Sequence, residues 1–168
     1  HLRLQATFAP VLQGDAGFSR KGAAPGAASY YYSMPGWRTR GVIDLHGNRF
    51  EVSGQSWLDR EWSTRSLDAN VQGWDWFGLQ LDDGTHVMFY QLRDVHGNAT
   101  PWSSASVIAA DGSHRALPAH SIELTVTDTW RSDAGTVYPS AWTVSIVGEV
   151  VLNITAQLSD QLWRGAFE

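Results

Sequence analysis

The sequence predicts an all-β, antiparallel fold. Three observations carry that reading. Apolar residues alternate with polar ones over short stretches, as on half-buried strands. Gly-rich turn signals separate these stretches at roughly 8–12-residue spacing, as in sandwiches and barrels. No convincing amphipathic helix of ten or more residues can be traced anywhere in the chain.

Taken in order, Leu2, Leu4, Ala6 and Phe8 alternate and give a first strand, which Pro10 ends. Residues 14–26 (GDAGFSRKGAAPG) are rich in Gly and Ala and read as a loop. Tyr30, Tyr31 and Tyr32 form a short aromatic strand, stopped by Pro35-Gly36; Tyr30 and Tyr32 share one face and Tyr31 takes the other. Strands over 39–45 and 49–57 follow, joined at His46-Gly47-Asn48, a hairpin signal. The polar stretch 63–70 reads as a connector. Beyond it, 74–81 and 86–92 flank the turn Asp82-Asp83-Gly84. After a turn at His96-Gly97-Asn98 come strands over 102–109, 121–127, 137–147 and 150–156. The count is about ten strands.

The bulk numbers exclude several classes. At 168 residues and 43% apolar the chain can bury a core. Charged residues are only 17% and tryptophans number nine, a composition suited to an apolar concave lining. The net charge of −5 comes without a basic stripe, which argues against nucleic acid and anionic membrane as partners. Cysteine is absent, so neither disulfides nor thiolate metal sites are expected. No apolar run is long enough to be a transmembrane helix, and no signal peptide is visible.

Residues 52–81 are the centre of the chain. They gather Trp57, Trp62, Trp74 and Trp76 around Asp59, Glu61 and Asp75. Carboxylates among indoles need partners if buried, so the stretch is either a satisfied structural feature or a site. On a strand, Gln55, Trp57, Asp59 and Glu61 share one face; in the second motif Trp74, Trp76 and Gln80 share another. Burial and like charge both raise a carboxyl pKa, so Asp59 and Glu61 are expected to influence each other's protonation. The structural alternative is a surface charge cluster, or an acceptor at a strand end. Asp75 reads as a structural acceptor or an exposed residue.

The blocks GDAGFSRKG, ASYYYSMP, VSGQSWLDREWS, GWDWFGLQLDDGTHVMFYQLR, YPSAWTV and LSDQLWRG occur in this order. In them the chain resembles the bacterial carotenoid 1,2-hydratase/AttH-like family of two-domain, lipocalin-like proteins. The resemblance covers nearly the whole chain and is most specific from Trp57 to Arg93. It implies a lipocalin-like antiparallel β-barrel fold. Family members are twice this length, so residues 1–65 are expected to be the C-terminal strands of a first lipocalin-like domain. Residues 66–168 would then be a second domain, incomplete at its C-terminus. Open edges of such halves invite pairing with a second copy or a missing fragment. The resemblance also implies a periplasmic or cell-envelope location.

The activity implied is acid-initiated hydration or cyclisation of an alkene in a polyene or isoprenoid. That chemistry needs a carboxylic acid to protonate one carbon, aromatic faces for the cation, and a carboxylate to take the proton of a held water. Asp59 and Glu61 are the expected catalytic pair, with Trp57, Tyr31, Trp74, Trp76 and Tyr90 against a hydrophobic small molecule. The alternative is a non-catalytic binding module in which the acids tie strands together. A hydrolase finds no Ser-His-Asp pattern here, and GQSWL lacks the second glycine of a nucleophile elbow. No metal and no cofactor is expected: the six histidines are scattered through turns, and His86, on one face with Met88 and Tyr90, reads as a satisfied wall histidine.

Overall fold

The computed structural model describes residues 1–64, 67–148 and 150–163. The all-β, antiparallel class expected from the sequence is what it shows. The strands are β1 (Leu2–Ala6), β2 (Val11–Leu12), β3 (Phe18–Arg20), β4 (Ala28–Leu45), β5 (Asn48–Trp62) and β6 (Val71–Gln80). Then follow β7 (His86–Asp94), β8 (Ser104–Ile108), β9 (His114–Leu117), β10 (Ile122–Arg131), β11 (Val137–Ile146) and β12 (Val150–Thr155). The one helical element among the described residues is a single 3₁₀ turn at Ala119–Ser121. The sheets are open paths of strands; among the described residues no ring of strands closes on itself.

The chain divides into two compact units, His1–Ala119 and His120–Glu168. The first holds a five-stranded sheet, in which β4 pairs with β1, β2, β3 and β5, and the meander β6-β7-β8-β9. The second holds the sheet β10-β11-β12, with Ala141, Val144 and Ile146 buried along β11. Side chains from both sheets of the first unit share one core. Tyr31, Met88, Tyr90 and Leu92 form that cluster, and Trp57, Leu67, Val71 and Trp102 pack against it. Strand β7 is buried over His86–Tyr90. Its Met88 and Phe89, almost wholly enclosed, each contribute roughly 1.5–3 kcal/mol by leaving water.

Strand β4 corrects one expectation. Pro35-Gly36 does not stop the tyrosine strand; β4 runs through it from Ala28 to Leu45, 18 residues in all. The proline is accommodated because the register with β5 shifts between Met34 and Trp37, a bulge where its missing N–H is not needed. Gly36 lets β1's end approach closely: its carbonyl accepts from Thr7 N at 2.8 Å and from Thr7 Oγ1 at 2.6 Å. A Cβ there would strike Thr7 and Phe8. At the far end of β4 the predicted hairpin turn is present. Leu45 pairs with Asn48, and His46 (φ 50°) and Gly47 (φ 80°) are both left-handed, as a two-residue I′ turn requires.

Three strands escaped the periodicity, the first being the two-residue β2. The Gly/Ala-rich segment 14–26 contains β3, paired with the start of β4 through Phe18↔Tyr30, and a buried Lys21. Strand β9 closes the meander against β8.

Candidate functional site

Two hairpins of the first unit face each other and build a cavity of about 310 Å³. Their registers set the walls. In the first hairpin Tyr31 of β4 stands opposite Glu61 of β5, and Ser33 opposite Asp59. In the second, Trp74 of β6 stands opposite Leu92 of β7, and Trp76 opposite Tyr90. Tyr31, Glu61, Trp62, Trp74, Trp76, Tyr90, Leu92 and Lys21 all line the cavity, which lies at the small end of ligand-pocket volumes. Trp76 Nε1–H donates to the Tyr31 hydroxyl at 3.1 Å and so joins the two hairpins.

Glu61 is the carboxylate of this cavity. Its Oε1 accepts from Ser29 Oγ at 2.5 Å and lies 3.0 Å from Lys21 Nζ. Lys21, only 8% exposed, sets its ammonium 3.6 Å from the centre of the Tyr90 ring and 5.3 Å from that of Tyr31. A buried cation is tolerable there because it has both a carboxylate and two π faces. Tyr90 is fixed in turn by a 2.9 Å hydrogen bond between its hydroxyl and Ser19 Oγ.

Asp59 is placed differently. It is not a cavity wall; its Oδ1 accepts from Ser33 Oγ at 2.5 Å and from Trp57 Nε1 at 3.0 Å. Behind it runs a buried polar chain: Ser106 Oγ donates to Gln13 Oε1 at 2.9 Å, and Gln13 Nε2 donates to Ser33 Oγ at 3.0 Å. Trp57 likewise backs the cavity rather than lining it, edge-on to Trp76 at 5.9 Å and to His86 at 6.2 Å. The expected catalytic pair therefore shares a strand face but not a set of partners.

Burial, first, and the charge of Asp59, second, push the Tyr31 phenol far above its ordinary pKa, with a smaller push from Glu61; hydrogen bonds with Trp76 and Ser33 act the other way. Tyr31 is a neutral hydroxyl at any ordinary pH. Burial lowers His86, against the charge of Asp83, and its Nδ1 has no hydrogen-bond partner. His86 is thus a wall histidine packed on Phe8 and Trp57, but not a satisfied one. Asp75 pairs with Arg93 Nε at 3.3 Å; burial raises its pKa and Arg93 opposes that. Among the described residues no group of three or more His, Asp or Glu could hold a metal ion. No helix of the described chain is long and apolar enough to cross a membrane.

Sequence reasoning missed Lys21, Ser29, Ser33 and Gln13. One signal was available for two of them. Ser29 and Ser33 flank Tyr31 at period 2, so one face of β4 alternates Ser-Tyr-Ser opposite two acids.

No curated protein matches the chain in sequence. Among solved structures it is similar to the AttH-type protein of Nitrosomonas europaea, with 38% identity and a TM-score of 0.87, over 95% of this chain and 49% of that one. It is also similar in fold to kievitone hydratase from Nectria haematococca, at 22% identity and a TM-score of 0.74, again over 95% of this chain and 49% of that one. The chain thus spans about half the length of each, and the lipocalin-like, antiparallel fold expected of it is the one they share. The AttH-like family model matches residues 1–168, the full extent of the sequence. With that match, and with 38% identity to an AttH-type structure, the chain belongs to the AttH-like family.

Proposed function

We propose that the first unit binds an apolar, unsaturated small molecule, a polyene or isoprenoid, and adds water to one of its double bonds. The observation that carries this reading is the Glu61 carboxylate, held by Lys21 and Ser29 at the wall of a cavity lined mainly by aromatic and aliphatic side chains. That the fold also serves a protein named kievitone hydratase supports water addition as the reaction type.

In this reading one alkene carbon receives a proton and its neighbour becomes a tertiary cation, stabilised by the faces of Trp74 and Trp76. Asp59 is the proton source once it has taken up a proton: it then donates to Ser33, the reverse of the bond it accepts as a carboxylate. It reaches the cavity through Ser33 and Tyr31, to which Ser33 is bonded on either side. The Tyr31 hydroxyl stays neutral throughout, so it passes a proton on only as it receives one. Water then attacks the cation and gives its surplus proton to Glu61. Solvent returns Glu61 and Asp59 to their starting states.

The second reading is a binding module without turnover. It is favoured by the seclusion of Asp59, whose Oδ1 is already engaged by Ser33 and Trp57. Incubating the protein with branched polyenes and assaying for the hydrated product separates the two. The enzyme reading predicts product from the wild type, and none from Asp59→Asn or Glu61→Gln with ligand affinity retained. Quenching of tryptophan emission without product at any pH would favour the binding module.

Within the longer relatives we place residues 1–65 at the end of one lipocalin-like domain and 66–168 in the next, so the complete activity is that of the longer protein. A periplasmic or cell-envelope location, and pairing of open strand edges with a second copy or with the remaining chain, belong to the same proposal.

A further inference from the structure

We infer that Lys21 and Glu61 together form a position for a neutral hydroxyl oxygen, so that the cavity prefers an alcohol of branched apolar skeleton over the matching hydrocarbon and over a carboxylate. The inference rests on the reading of the cavity as an apolar small-molecule site and names the head group it takes.

An ammonium has three N–H donors and no acceptor, and a carboxylate has two acceptor oxygens. Lys21 spends one donor on Glu61 Oε1 and presents its charge to the face of Tyr90. Among the described residues Glu61 is bonded through Oε1 alone, which takes both Ser29 and Lys21; Oε2 accepts nothing from them. Both side chains line the cavity. The pair therefore brings a spare cationic donor and a spare anionic acceptor to one place, with indole and phenol rings around it.

The chemistry of that pair is selective. A hydroxyl accepts from Nζ and donates to Oε2 at once. A hydrocarbon does neither, and leaves both charges to be desolvated without return. A carboxylate accepts from Lys21 but meets the Glu61 charge, and like charges at close range repel. An alcohol oxygen and a water oxygen fit the position equally, so in a hydration the site would hold the water before addition and the new hydroxyl after it.

The test uses a matched set: dihydromyrcene, its hydration product dihydromyrcenol, and citronellate as the carboxylate. Affinities are read from quenching of tryptophan emission, since Trp62, Trp74 and Trp76 line the cavity. The alcohol is expected to bind about 10–100-fold more tightly than the alkene, the size of one net hydrogen bond to a charged group. Lys21→Met, which keeps the apolar stem, should bring that ratio to within about twofold. Glu61→Gln, which keeps the shape, should raise citronellate affinity at least about fivefold by removing the repulsion. An unchanged alcohol preference in Lys21→Met overturns the inference, as does wild-type citronellate binding tightest. If Lys21→Met fails to fold, unchanged citronellate affinity in Glu61→Gln overturns it. Quenching by none of the three ligands overturns the cavity reading itself, and is told apart by the absence of any affinity to compare.

Discussion

The Trp76 indole N–H donates to the Tyr31 hydroxyl at 3.1 Å and, with the Gln80 amide that donates to the Pro35 carbonyl at 2.6 Å, ties strand β6 to strand β4. Trp76 and Tyr31 are 45 positions apart, and both line the cavity. Tyr31→Phe deletes the acceptor and strands the Trp76 donor. The variant is expected to lose about 1–2 kcal/mol of stability in urea unfolding. In the hydration reading it also loses about 10²–10⁴-fold in turnover, because the relay hydroxyl is gone while the ring remains.

Tyr31 makes an alkaline prediction with a definite sign. Its folded pKa is raised, so from the ordinary phenol value of about 10 upward the unfolded state releases its proton first. Stability from Tyr31 is thus complete below about pH 10 and falls as pH rises further. Urea midpoints measured from pH 8 to 11 should decline less steeply in Tyr31→Phe than in the wild type. Parallel slopes would contradict the burial of a neutral phenol.

Ser33 is fully enclosed, 0% exposed, and besides its bond with Tyr31 it accepts from Gln13 and donates to Asp59. Ser33→Ala leaves a buried amide donor and a carboxylate oxygen short of partners. A loss of about 2–4 kcal/mol is expected, larger than for a serine on the surface. Chemical denaturation of Ser33→Ala beside Gln13→Ala tests the chain further. The double variant should cost less than the sum of the single ones, since both break the same bond.

Much of the site was legible as alternation and little of it as contact. Period 2 set Tyr31 apart from Tyr30 and Tyr32, and in the structure Tyr31 is buried while Tyr30 is exposed. It also put Trp57, Asp59 and Glu61 on one face, where they meet the Ser29–Ser33 face of β4. Lys21 was not legible, because it follows a three-residue strand inside a Gly/Ala-rich segment too short to show a period. Nor was the separation of Asp59 from Glu61. That depends on which serine of β4 stands opposite each acid, a matter of register set 26 to 32 residues away. Pro35 misled for a related reason: a bulge absorbs a proline, and bulges carry no simple signature.

His86 gives the acid limb. Burial lowers its pKa, so below the ordinary value of about 6.5 the unfolded state takes up a proton that the folded state refuses. The stability that depends on neutral His86 is present above about pH 6.5 and is lost as pH falls. His86→Phe keeps an aromatic ring against Phe8 and Trp57. Its melting temperature should change less between pH 7 and pH 5 than that of the wild type.

The most direct test of the account is oxygen transfer from water. The protein is incubated with dihydromyrcene in heavy-oxygen water, and dihydromyrcenol is assayed by mass spectrometry for wild type and Glu61→Gln, with ligand affinity measured in parallel. The account predicts labelled alcohol from the wild type, and a loss of about 10²-fold or more in Glu61→Gln with alkene affinity within a few-fold. Equal product from the two proteins, or tight binding with no labelled alcohol from either, would contradict it.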